Sequence, residues 1–165
     1  MSTKTADWEQ EEAKKRAEVE KMEAKEMFDS EYLPTLHQHG RALYRLENWA
    51  GALEVSEKVA GWHMQVSGDD SMQFAMALSN VGTTANRLGQ TEIVSATMER
   101  AIGITIARFG ETSYESTQIF AKMLQFGLYK GDEKPQGYSQ EKYMEEIKRI
   151  LDSETKGDES ETEEL

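Results

Sequence analysis

Apolar residues recur three and four apart along most of the chain. Over residues 71–88, Phe74, Ala77, Leu78, Val81, Ala85 and Leu88 fall on one helical face. Over 91–109 the face is Val94, Met98, Ala101, Ile102 and Ile106, and over 113–129 it is Ile119, Phe120, Met123, Phe126 and Leu128. An earlier hairpin begins near Pro34, whose fixed φ suits a first helical turn. Its second helix carries Trp49, Leu53, Val59, Trp62 and Val66. A last helix starts near Tyr138, after Pro135 and Gly137 break the preceding stretch, and shows Tyr143, Ile147, Ile150 and Leu151. Gly89 and Gly110 stand where helices end, since glycine tolerates the left-handed conformation past a C-terminus. Thr112 with Glu115 has capping-box spacing for the helix that follows. The pattern predicts an all-α chain.

The helices repeat. At one common offset Gly61 falls on Gly103, Gly68 on Gly110, Ser71 on Ser113 and Gly89 on Gly131. At the same offset Arg45-Leu46 falls on Arg87-Leu88, and Glu57-Lys58 on Glu99-Arg100 and then Glu141-Lys142. Each coincidence is weak alone; the shared offset carries the inference of a repeated helical hairpin. It predicts that Gly68 and Gly110 occupy the same turn and that Glu57 and Glu99 occupy equivalent helix positions.

Met98-Glu99-Arg100-Ala101-Ile102 and Ser56-Glu57-Lys58-Val59-Ala60 resemble the aromatic-Glu-Arg-Ala-Leu run in the second helix of 42-residue, kinesin-light-chain-type tetratricopeptide repeats. Ala77-Leu78-Ser79-Asn80-Val81-Gly82 resembles the Thr-Leu-Asn-Asn-Leu-Ala run of that family's first helix. Arg108-Phe109-Gly110 and Val66-Ser67-Gly68 resemble its Val-Leu-Gly terminus. The resemblance implies a right-handed α-solenoid of antiparallel hairpins over residues 29–152, with units at about 30–68, 71–110 and 113–152. It also implies a groove lined by the first helices, in which Asn80 matches the asparagine that holds peptide backbone. Gln38 and Lys122 stand at the equivalent positions of the other units and depart from that asparagine.

Residues 1–28 read as a charged helix with pairs such as Glu11–Lys15 and Glu12–Arg16. Its thin apolar face is Ala13, Ala17, Ala24 and Phe28, with Trp8, Val19, Met22 and Met27 beside it. This is a helix that either caps the first unit or projects to a partner. Residues 153–165 form an acidic tail. The chain of 165 residues holds 31 acids and 19 bases, a net charge of −12. Half of that charge lies on residues 152–165, where seven acids meet the single base Lys156. The balance disfavours nucleic acid as a partner, because phosphate binding needs a basic face. No stretch approaches the roughly 18 apolar residues of a membrane helix, and the acidic start lacks a secretory h-region. The location expected is cytoplasmic, or within a mitochondrial or ciliary assembly.

Candidate chemistry is sparse. There is no cysteine, hence no thiol nucleophile or zinc–thiolate site. His37 and His39 are two positions apart on a helix and point about 200° apart, which prevents their sharing a metal. Gly68-Asp69-Asp70 lacks the ligand pattern of a calcium loop, and no phosphate loop, dinucleotide fingerprint or nucleophile elbow occurs. No cofactor or catalytic residue is expected. The groove residues are Gln38, Arg41, Arg45, Asn80, Thr83, Arg87, Lys122 and Tyr129. Arginines in that face can bind carboxylates in bidentate fashion. The function expected is a non-catalytic interaction scaffold, a subunit of a larger protein assembly. The alternative is a free adaptor binding peptides in the groove.

Overall fold

The computed structural model describes residues 3–128, so the last helix expected from sequence, Tyr129, Gly131 and the acidic tail lie outside the described residues. Within them the chain is all-α. The helices are α1 (Thr3–Ala24), α2 (Tyr32–Arg45), α3 (Trp49–Ser67), α4 (Met72–Arg87), α5 (Thr91–Phe109) and α6 (Tyr114–Gln125). Among the described residues they group into two compact units, divided inside α5 between Thr97 and Met98.

The turns explain why the helices begin and end where they do. Ser71 and Ser113 cap α4 and α6: each hydroxyl accepts from the backbone N–H three positions on, at 3.1 Å in both cases. Each hydroxyl also donates back to the carbonyl of Gly68 or Gly110, at 2.9 Å. Both glycines have positive φ, 99° and 90°, where a side chain would be strained. The two turns are therefore the same device, used once in each repeat. Ser113, not Thr112, is the cap of α6; extended backbone at Ser113 aims its hydroxyl at the free N–H groups. Glu57 and Glu99 are both exposed, at equivalent places on α3 and α5.

The turns within hairpins follow a second pattern. At Glu47 (φ 55°) and Gly89 (φ 69°) the chain turns left-handed, and the next N–H reaches back to Leu43 O or Ala85 O. That closure of the last helical turn is a Schellman-type stop. Glu26 (φ 52°) ends α1 the same way, with Met27 N–H donating to Met22 O at 2.8 Å. Positive φ thus falls at Glu26, Glu47, Gly68, Gly89 and Gly110, at equal intervals along the chain. Each hairpin repeat divides into two equal cassettes, and α1 ends in step with them. The spacing breaks at the next stop. α6 ends at Gln125, and Gly127 (φ 73°) supplies the left-handed residue, ahead of the Gly131 expected from the repeat. The helix expected to reach position 129 is about one turn shorter, because Gly127 offers a stop first and Leu128 N–H closes it on Met123 O.

In the first unit α1 packs on α2, α2 on α3 and α3 on α4. Leu36, Ala42, Leu43, Leu53, Val55, Val59, Phe74, Ala75, Leu78 and Val81 are buried. The face of α1 differs from that expected. Ala13, Ala17 and Ala24 are exposed, and Val19 is buried with Trp8, Glu12, Met22 and Glu23 half-buried on its side. Methyl groups offer little area to bury, so the larger side chains and two paired carboxylates orient the helix instead. Val66, expected on the inner face of α3, is 64% exposed. In the second unit Met98, Ala101, Ile102, Ile119, Phe120 and Met123 are buried. There Ser116 hydroxyl meets Thr105 Oγ1 at 3.1 Å and Gly110 O at 2.9 Å, joining α5 to α6 through buried polar groups.

Glycines inside helices separate into two kinds. A Cβ at Gly40 would lie 3.1 Å from Val55 Cγ1, so α2 and α3 approach closely there. A Cβ at Gly61 or at its repeat equivalent Gly103 would meet nothing within 4 Å. Gly61→Ala and Gly103→Ala should each raise stability by about 0.5–1 kcal/mol, the helical cost of glycine relative to alanine. Denaturant midpoints of the two variants check this; a lower midpoint for either would show that the space is filled.

Candidate functional site

Of the residues expected to line a groove, Gln38, Arg41, Arg45, Asn80 and Arg87 lie exposed on α2 and α4 of the first unit. Thr83 is half-buried, and its hydroxyl donates to Ser79 O on its own helix at 2.9 Å. Lys122 is half-buried on α6 in the second unit. Tyr129 lies outside the described residues.

The arginines are seated on tryptophan rings. Arg41 and Arg45 lie 5.6 and 5.8 Å from the centre of the Trp8 ring of α1. Arg87 lies 5.3 Å from Trp49 of α3, which Tyr44 also meets edge-on at 4.7 Å. Arg45 and Arg87 are equivalent in the repeat, and each is stacked on a tryptophan near the start of the preceding helix. A stacked guanidinium is restrained by cation–π attraction, and its flat face is shielded by the ring. Sequence reasoning singled out the arginines but not their partners. The interval from Trp8 to Trp49 is one position shorter than the repeat, so the repeat did not align them.

Charge is segregated on these helices. Neither the 14 residues of α2 nor the 16 of α4 include an acid. At the chain's average of 31 acids in 165 residues, about six would fall there. Their exposed polar positions are all neutral or basic.

Polar clasps tie α1 to its neighbours. His39 is buried, with Nε2 3.0 Å from Glu12 Oε1, while His37 is exposed, in keeping with their opposite directions on the helix. His39 Nδ1 is buried with no hydrogen-bond partner. Glu23 accepts from Tyr32 hydroxyl at 2.8 Å and from Lys58 Nζ at 2.9 and 3.1 Å, linking α1, α2 and α3. Burial pushes the Glu23 carboxyl up, but the bonds from Lys58 and Tyr32 and the Lys58 charge outweigh it and hold the group below its ordinary value. Burial, then the bond to Glu23 and its charge, push the Tyr32 hydroxyl well above the usual phenol range. Burial, and then His37, hold the His63 imidazole below its usual value.

The Glu23 carboxylate gives a pH prediction. Its folded value is depressed, so the unfolded chain takes up the proton more readily. The stabilisation is present above the unfolded carboxyl value of about 4.3 and is lost as pH falls through the lower folded value. Melting temperatures of the wild type and Glu23→Gln should converge as pH falls from about 6 to 3. A gap that stays constant would show that the clasp is indifferent to protonation.

Among the described residues no group of three or more His, Asp or Glu is placed to hold a metal, and no helix is long and apolar enough to cross a membrane. No protein-family model, curated protein or solved structure matches the chain.

Proposed function

We propose that the protein is a non-catalytic interaction scaffold, a short right-handed solenoid of tetratricopeptide-like hairpins that serves as a subunit of a larger protein assembly. Its first helices receive a carboxylate-bearing segment of a partner. The observation that carries this reading is the exclusion of acids from α2 and α4 in a chain of net charge −12, combined with arginines restrained on Trp8 and Trp49. Solubility does not require such segregation. A face that must meet negative charge does, because like charges across an interface are strongly unfavourable. Short solenoids elaborated at an end suit fixed contacts with neighbours, which favours the subunit over the adaptor.

The test is native size in an extract of the source cells. The chain itself is 18.7 kDa. A subunit migrates in a far larger, stable particle, and the double variant Arg45→Glu, Arg87→Glu should fall out of it while keeping its helical circular dichroism. A wild-type protein found at monomer size, with partners that exchange, would replace the subunit reading with the adaptor. A particle that retains the double variant would remove the arginine face from the interface.

A further inference from the structure

A second surface lies in the first unit, at the α1–α2 turn and the end of α3, and its chemistry is opposite to that of the arginine face. Met27 and Phe28 follow the left-handed stop at Glu26 and remain 45% and 49% exposed. Phe28 is nonetheless fixed. Its ring meets Tyr32 edge-on at 5.0 Å and lies 6.4 Å from Trp62, and Tyr32 and Trp62 are 5.3 Å apart. The Tyr32 hydroxyl is held by Glu23, which Lys58 holds in turn. Val66 is one helical turn beyond Trp62, on the same face of α3. At 64% it is the most exposed large apolar side chain among the described residues.

The helical repeat does not require this exposure. An anchored aromatic cluster with a free apolar edge has little conformational freedom left to lose on binding, and such clusters dominate interface energetics. The rim specifies the partner. Glu26, Asp29 and Glu31 are exposed in the turn, and Asp69 and Asp70 are exposed just past the end of α3. Against these five carboxylates the same two segments hold one base, Lys25. We propose that Met27, Phe28, Trp62 and Val66 form a docking surface for a basic amphipathic segment of a partner protein. Apolar anchors of that segment cover the aromatic cluster, and flanking lysines or arginines meet the acidic rim. The rim repels the chain's own acidic C-terminal residues and an anionic membrane alike. The surface does not depend on the function proposed for α2 and α4, and either can fail alone.

The experiment uses the full chain and a labelled amphipathic leucine–lysine peptide, about five helical turns long, as probe. A matched peptide with glutamate in place of lysine is the control. The lysine peptide should bind at least about tenfold more tightly than the glutamate peptide in fluorescence anisotropy. Its binding should weaken with salt, and it should shift the Trp62 indole and the Met27 and Val66 methyl resonances. Val66→Ser, which changes an exposed side chain, and Phe28→Ser should together weaken binding about tenfold or more with helical content unchanged. Val66→Ser alone keeps the test valid where Phe28→Ser disturbs the fold, since its own loss of affinity is measurable. No binding, equal binding of the two peptides, or shifts confined to other residues would overturn the proposal. Self-association of the free protein that Val66→Ser abolishes would also overturn it, by assigning the surface to a second copy of the chain.

Discussion

Phe120→Ala should lower the free energy of unfolding by about 3–5 kcal/mol. Phe120 is 1% exposed and is the largest fully buried side chain among the described residues. Ile119, Ala121 and Met123 beside it on α6 are also buried, so truncation removes most of a ring from a dense site. The surroundings collapse only in part, and the remaining cavity adds to the lost transfer energy. Denaturant unfolding followed by circular dichroism measures the change. A loss below about 1 kcal/mol would mean that α6 is not held by this side chain. Ala101 offers the converse test in the same unit. It has no exposed surface, so Ala101→Leu should cost about 1–3 kcal/mol by overpacking.

Leu36→Ala should cost about 2–5 kcal/mol in the first unit. Leu36 has no exposed surface and sits in α2, the helix that packs on both α1 and α3. Its loss loosens α2, on which α1 rests through buried Val19, the Trp8 ring beneath Arg41 and Arg45, and the polar clasps of Glu12 and Glu23. Hydrogen exchange of α1 amides should therefore speed up in the variant more than global destabilisation alone accounts for. Exchange that stays at the wild-type rate relative to α3 would show that the remaining contacts of α1 suffice.

The periodic segments were legible because their apolar faces are broad. α4 and α5 lie within a residue of their expected bounds, and Phe74, Ala77, Leu78, Val81 and Ala85 are buried as their spacing implies. The repeat offset located Gly68 and Gly110, whose shared turn has a geometric cause that only glycine meets easily. What escaped were features fixed between helices rather than along one. The buried side of α1 follows Trp8, Glu12, Val19 and Glu23, and half of those are charged, so hydrophobicity pointed to the alanine stripe instead. The early stop at Gly127 competed with Gly131, and spacing alone could not rank two glycines. Of the residues expected to line a groove, Arg41, Arg45 and Arg87 are seated on tryptophans of the preceding helices, contacts that no periodicity reports.

The main helix packings of the first unit, α1 on α2, α2 on α3 and α3 on α4, join helices that are consecutive in the chain. Closing such short turns costs little chain entropy, and topologies built from neighbouring contacts fold in microseconds to milliseconds. Synthesis is far slower, at about 5–20 residues per second. With stops evenly spaced through Gly110, each new helix follows its predecessor from the ribosome after about one to four seconds. Every helix from α1 to α3 therefore meets its next packing partner one cassette later. The apolar face of the newest helix is the part left waiting, and it waits for the synthesis of a single cassette.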